Sequence, residues 1–132
     1  MGKMTNKFEE LFNAYFHNLE TSLLYQEIVD FHDKIIEELF LYNKEFSTKN
    51  YHSYINDLKN HLSNNQPTDN YDYEYDQIVT YGEFLSTSII AEFLNSNNIQ
   101  NNLVDIREII ITDDRFRDAK VKFSATEVNC IN

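Results

Sequence analysis

Between Ser22 and Phe40 the apolar residues Leu24, Ile28, Phe31, Ile35 and Leu39 recur at steps of four, three, four and four, flanked by Ile36 and Phe40. A half-buried strand would alternate; this period lines up one side of an α-helix and obliges the rest of the chain to supply an apolar surface against it. The spacing predicts one long helix from Ser22. Phe8, Leu11, Phe12, Tyr15 and Phe16 mark a similar face on an earlier helix, from Asn6 to Asn18, with Thr5 as its N-cap. After a polar connector, Asn43 to Lys49, the residues Tyr51, Tyr54, Ile55, Leu58 and Leu62 predict a third helix, which Ser63-Asn64-Asn65-Gln66-Pro67 stops.

A fourth helical face carries Ile78, Tyr81, Leu85, Ile89 and Phe93, with Ile90 and Leu94 beside it, and ends in Asn95-Ser96-Asn97-Asn98. The acidic and aromatic run from Asp69 to Asp76 precedes it. That run lacks the glycine and terminal glutamate of a calcium loop, so it reads as a solvated lead-in whose carboxylates favour the helix N-terminus. Gly82 lies inside the pattern, where glycine costs about 1 kcal/mol against alanine. Its presence predicts either a close backbone approach or a break between two helical pieces, and Glu83 beside it becomes a candidate functional residue. Beyond Ile99 the period changes. Leu103-Val104-Asp105-Ile106 and Ile109-Ile110-Ile111-Thr112 read as short buried strands, and Ala119 to Phe123 as an edge strand. The fold expected is mainly α with a small β part: residues 1–98 mainly helical, residues 99–132 short strands and loops, all in a single partial domain.

Several function classes are disfavoured by composition. A net charge of −11 repels phosphate backbones and anionic membranes, which argues against nucleic acid and membrane partners. No apolar run nears the roughly 18 residues of a membrane span, and the N-terminus lacks the order of a signal peptide, so a cytoplasmic location is expected. Cys130, the single cysteine, can form neither an internal disulfide nor a thiolate cluster. His17, His32, His52 and His61 show no metal-ligand spacing and read as helix surface or core edge. Only Gly2 and Gly82 are present, where average usage would give about nine. Loops that cradle triphosphates need glycines so that successive backbone N–H groups can approach the phosphate oxygens, and these residues hold no such cluster.

Three ordered motifs remain: Tyr81-Gly82-Glu83-Phe84-Leu85-Ser86 followed by a helix, Val104-Asp105-Ile106-Arg107-Glu108, and Ile111-Thr112-Asp113-Asp114-Arg115-Phe116. Together they resemble the aspartate kinases, in which a Tyr-Gly-Glu-x-Leu-Ser helix start precedes a strand ending in Asp-Ala-Arg-Glu and a Thr-Asp-Asp-x-Phe loop. Met1-Gly2-Lys3-Met4-Thr5-Asn6 is similar to the family's Ser-Ala-Met-Gly-x-Thr-Asn loop. The chain departs from the pattern at Arg117, where many members have glycine, and at Phe84, where a polar or aliphatic residue is frequent.

The resemblance implies a helical fragment of the three-layer α/β/α amino-acid kinase fold, like that of carbamate kinase. The parent enzyme would transfer the ATP γ-phosphoryl group to the β-carboxylate of L-aspartate, using ATP and Mg2+, in lysine, threonine and methionine biosynthesis. It would be a homo-oligomer, either monofunctional or fused to homoserine dehydrogenase. Glu83 matches the acid that helps hold aspartate and Thr5 the threonine of the substrate loop, both positioning groups; no catalytic residue and no metal ligand is carried over. The family's Lys-Phe-Gly-Gly-Thr strand end and Gly-Arg-Gly-Gly-Ser-Asp loop do not occur in these residues. The fragment alone is therefore expected to be inactive, to bind neither ATP nor Mg2+ tightly, and to need the remaining segments of the kinase as partners. The alternative is a stand-alone helical binding module. Asp113, Asp114 and Arg115 invite a metal or phosphate role, but the preferred reading is a structural Asp-Asp-Arg turn that satisfies loop amides and forms a local ion pair.

Overall fold

The computed structural model describes residues 4–41 and 47–131; Met1 to Lys3 of the N-terminal motif and most of the Asn43–Lys49 connector lie outside them. Six α-helices follow in order: α1 (Met4–Phe16), α2 (Ser22–Phe40), α3 (Lys49–Asn64), α4 (Tyr71–Val79), α5 (Tyr81–Ser96) and α6 (Phe123–Ile131), with a 3-10 turn at Ile106–Glu108. The long α2 agrees with its spacing. Met4 is already helical, so Thr5 sits in the first turn of α1 and is not its N-cap.

The core is where the apolar periods meet. Phe8, Leu11, Phe12 and Tyr15 of α1, Ile28 and Ile36 of α2, Tyr51, Ile55 and Leu58 of α3, Ile78 of α4, and Leu85 and Ile89 of α5 form one buried cluster. Helix α1 packs most extensively on α4, and α3 on α5. Aromatic edges fill the α1–α4 seam: Tyr71 and Tyr75 meet the Phe12 ring nearly at right angles, with centroids 4.9 and 5.2 Å away. The acidic lead-in is thus itself helical. Asn70 caps α4 by accepting a hydrogen bond from the Tyr73 N–H at 3.1 Å, and Glu74 turns inward to accept one from the Thr68 N–H at 2.8 Å.

Glycine poverty is met by asparagine. Asn18 and Asn98 adopt φ of 55° and 62° just beyond α1 and α5. Leu19 N–H then reaches back to Ala14 O, and Ile99 N–H to Leu94 O, closing two Schellman motifs without a glycine. Asparagine tolerates this left-handed region because its side chain can bond locally.

Three expectations require correction. The strands placed at 103–106, 109–112 and 119–123 do not form; among the described residues the β structure is one antiparallel bridge, Thr112 to Val121. Their apolar runs read as buried strands only if neighbouring strands cover them, and here none does. Asp105 instead caps the turn at Ile106, accepting from the Arg107 N–H at 3.0 Å, while Phe123 starts α6. No described residue after Ala91 is buried. The fourth helix is two, because the Thr80 hydroxyl donates to Asp76 O at 2.5 Å within the chain and competes with the helical ladder at the junction. Finally, His32 is neither on the surface nor at the core edge: it is 1% exposed.

Candidate functional site

The α4–α5 junction borders a cavity of about 230 Å3, bounded also by the first turn of α1 and the middle of α2. Gly82 permits this arrangement. A Cβ at that position would stand 3.2 Å from Cδ2 of the Phe8 ring, so any side chain there would require α1 or the ring to give way by a few tenths of an ångström. The close approach suggested by Gly82 is therefore present, while the boundary between the two helices falls at Thr80, two residues earlier.

Thr5 and Glu83, the two residues singled out in separate motifs, both line this cavity. So do His32, Asp76, Thr80 and Ser86. Two of the lining hydroxyl protons are committed: Thr80 donates to Asp76 O, and Ser86 donates to Glu83 O at 3.1 Å. The cavity offers acceptors, two carboxylates above all, and among the described residues its lining includes no lysine or arginine. Such a wall favours a ligand that brings hydrogen-bond donors and positive charge. His32 and Asp76 were not singled out by the sequence. His32 occupies the same helical face as Ile28 and Ile35 and carried no spacing signal; its burial depends on α5 packing beside it.

Arg117, outside the lining, contacts two of its residues, Asp76 and Tyr75. Its N–H donates to Asp76 Oδ2 at 3.0 Å, its guanidinium reaches Asp72 at 3.4 Å, and its Cζ lies 4.2 Å from the Tyr75 ring centroid. Its φ of 63° lies in the left-handed region that favours glycine. Phe84, the other departure from the family pattern, stacks on Tyr54 with centroids 5.2 Å apart and receives the Arg107 guanidinium at 4.1 Å.

The Asp113–Arg115 turn is self-contained. Asp113 Oδ2 accepts from Arg115 Nε and Nη2 at 2.9 and 2.6 Å, and Oδ1 accepts from the Lys120 N–H at 3.0 Å. The Arg115 guanidinium, followed by the Lys120 amide, lowers the Asp113 pKa to about 2. Both oxygens are engaged within the turn. Among the described residues no group of three His, Cys, Asp or Glu side chains stands where it would hold a metal ion, and no helix is long and apolar enough to cross a membrane.

Two imidazoles, the buried His32 and the half-buried His61, set an acid limit. Burial lowers the pKa of His32 and of His61 below the ordinary 6.5, outweighing in His61 the opposing charge of Glu74. Protonating His61 would leave a cation whose Nε2 is buried without a hydrogen-bond partner. Groups with depressed histidine pKa values bind fewer protons folded than unfolded, so stability is fully present above pH 6.5 and falls as the unfolded chain begins to protonate below it. Chemical denaturation between pH 7.5 and 5 is expected to show a steadily decreasing free energy of unfolding, and His32→Leu should flatten that decline.

No family model, curated protein or solved structure matches the chain. Its functional reading rests on the residues and their geometry.

Proposed function

We propose that the chain is an internal stretch of an aspartate kinase catalytic domain, contributing part of the surface that holds L-aspartate. The observation that carries this reading is the meeting of Thr5 and Glu83, distant in sequence, in one acceptor-lined cavity. A carboxylate can pair with the substrate ammonium, and a hydroxyl can donate to a substrate carboxylate; both actions position the ligand and neither moves a proton. Arg117 lends support, since a residue that replaces the family's glycine here takes a φ that glycine prefers. So does the surface after Ala91, where Val104, Ile106, Phe123 and Ile131 are 54%, 54%, 80% and 79% exposed. Apolar residues left so open fit a segment that the further strands of a three-layer α/β/α kinase would cover.

In the parent enzyme the reaction would carry the ATP γ-phosphoryl group to the aspartate β-carboxylate. The residues described here do not fit ATP or Mg2+: they hold neither a glycine-rich loop nor a three-ligand acidic cluster, and Asp113 is engaged by Arg115. We therefore assign this stretch substrate positioning and no step of phosphoryl transfer. Titration calorimetry of L-aspartate into the chain and into Glu83→Ala, with ATP titrated separately, tests the assignment. Weak aspartate binding that is lost in the variant, with no heat from ATP and no ATP turnover, is the expected result. A second reading, a stand-alone helical binding module, is favoured by the closure of the core before Ala91. Absence of aspartate binding, together with an unaltered fold in a variant truncated after residue 98, would support the module instead.

A further inference from the structure

The cavity is more than the pair of residues that match a motif. His32 contributes a buried wall, and its bonding defines which atom is available. Its Nδ1 lies 2.8 Å from Ile28 O. A carbonyl oxygen only accepts, so Nδ1 carries the hydrogen of that bond, and in a neutral ring Nε2 then presents a lone pair. Asp76 lies on the neighbouring wall, where one of its oxygens, Oδ2, already accepts the Arg117 N–H. Glu83 lines the same space at the start of α5.

We propose that this cavity is a primary-ammonium site in which Glu83 and Asp76 supply the charge and His32 Nε2 supplies a third acceptor, so that His32 and Asp76 determine specificity for an amine-bearing ligand. An –NH3+ group has three donors and no acceptor, which matches three acceptors beside which the Thr80 and Ser86 hydroxyl protons are spent on helix carbonyls. A ligand carrying only carboxylates meets two like charges there and no lysine or arginine among the described lining residues. The inference deepens the reading of the cavity as an amino-acid site and rests on it for the identity of the natural ligand. The ligand's own carboxylates must then point away from Asp76 and Glu83.

The test uses the whole chain and three probes: L-aspartate, succinate, which lacks the ammonium, and propylamine, which lacks the carboxylates. Long-range 1H–15N spectra of the histidine rings report Nε2 of His32 directly. L-Aspartate and propylamine are expected to move that resonance from the position of a bare acceptor nitrogen, and succinate is not. His32→Leu should weaken L-aspartate binding roughly tenfold or more, the loss of one hydrogen bond to a charged group. His32→Gln, whose side-chain amide can place an oxygen near the former Nε2, should retain most of the affinity; thermal unfolding of both variants verifies that they fold. If propylamine moves Nε2 and L-aspartate does not bind, the aspartate reading falls and the ammonium site stands. If L-aspartate binds equally well to His32→Leu, or succinate binds as well as L-aspartate, the ammonium assignment falls while the aspartate reading stands. If no probe moves Nε2 at the highest soluble concentration, the ammonium site is overturned.

Discussion

Replacing Phe8 by alanine is expected to lower the free energy of unfolding by about 3–5 kcal/mol, the range for deleting a buried aromatic ring and leaving its cavity. Phe8 has no exposed surface, and its ring is the contact between α1 and the first turn of α5. The loss therefore falls on two helices at once. For a chain of this size such a change should lower the midpoint of thermal unfolding by on the order of 10 °C or more. Phe123→Ala is the matched comparison, because its ring is 80% exposed and makes little core contact. It should change stability by no more than about 0.5 kcal/mol. Urea unfolding of the two variants checks both figures, and equal effects would mean that the core does not end where the buried residues end.

The contrast between those two phenylalanines also marks how far the sequence could be read. Up to Ala91 each helix must turn one face toward the others, so burial follows the helical period, and the cluster of Phe8, Ile28, Ile55, Ile78 and Leu85 could be anticipated from spacing alone. Beyond Ile99 the period was legible but its consequence was not. Ile109 to Thr112 has the composition of a buried strand, yet a strand's pairing and burial come from neighbours, and the described residues offer only the bridge between Thr112 and Val121. In that setting Asp105 and the Lys122 carbonyl direct the backbone into a turn and a helix start, since local hydrogen bonds win where no ladder competes.

The cavity was partly legible for a related reason. Glu83 and Thr5 stand in motifs, and Gly82 was conspicuous because glycine is rare here. Asp76 lay within a run of acids whose individual roles no pattern separates. His32 could not be distinguished from a surface histidine until α5 was placed against α2, because nothing in a single helix's sequence states which of its polar residues the neighbouring helix will cover. Arg117 is the converse case: it stood out only as a departure from a motif's glycine, whereas its backbone conformation and its contacts with Asp76 and Tyr75 give it a structural task.

Gly82→Val is expected to destabilise the chain by about 2–3 kcal/mol, within the usual range for overpacking a core. The glycine Cα already brings an added Cβ to 3.2 and 3.3 Å from two atoms of the Phe8 ring, and valine places two further carbons beyond that point. Alanine at the same position poses two opposing effects. It gains about 1 kcal/mol of helix propensity at the start of α5, and it forces the Phe8 ring to yield by a few tenths of an ångström. Since that ring is fully enclosed, the two should nearly cancel and Gly82→Ala should lie close to the parent chain. Coupling to Phe8 distinguishes steric crowding from a requirement for glycine's backbone freedom. If crowding is the cause, Phe8→Leu should relieve the valine, and the double variant should be more stable than the sum of the single losses by about 1 kcal/mol. If the two losses simply add, the cost of valine arises within α5 itself, and the close passage of α1 over Gly82 is not what selects glycine there. In the crowding case, L-aspartate titrated into the double variant reports whether relieving this packing also restores the cavity that Thr5 and Glu83 share.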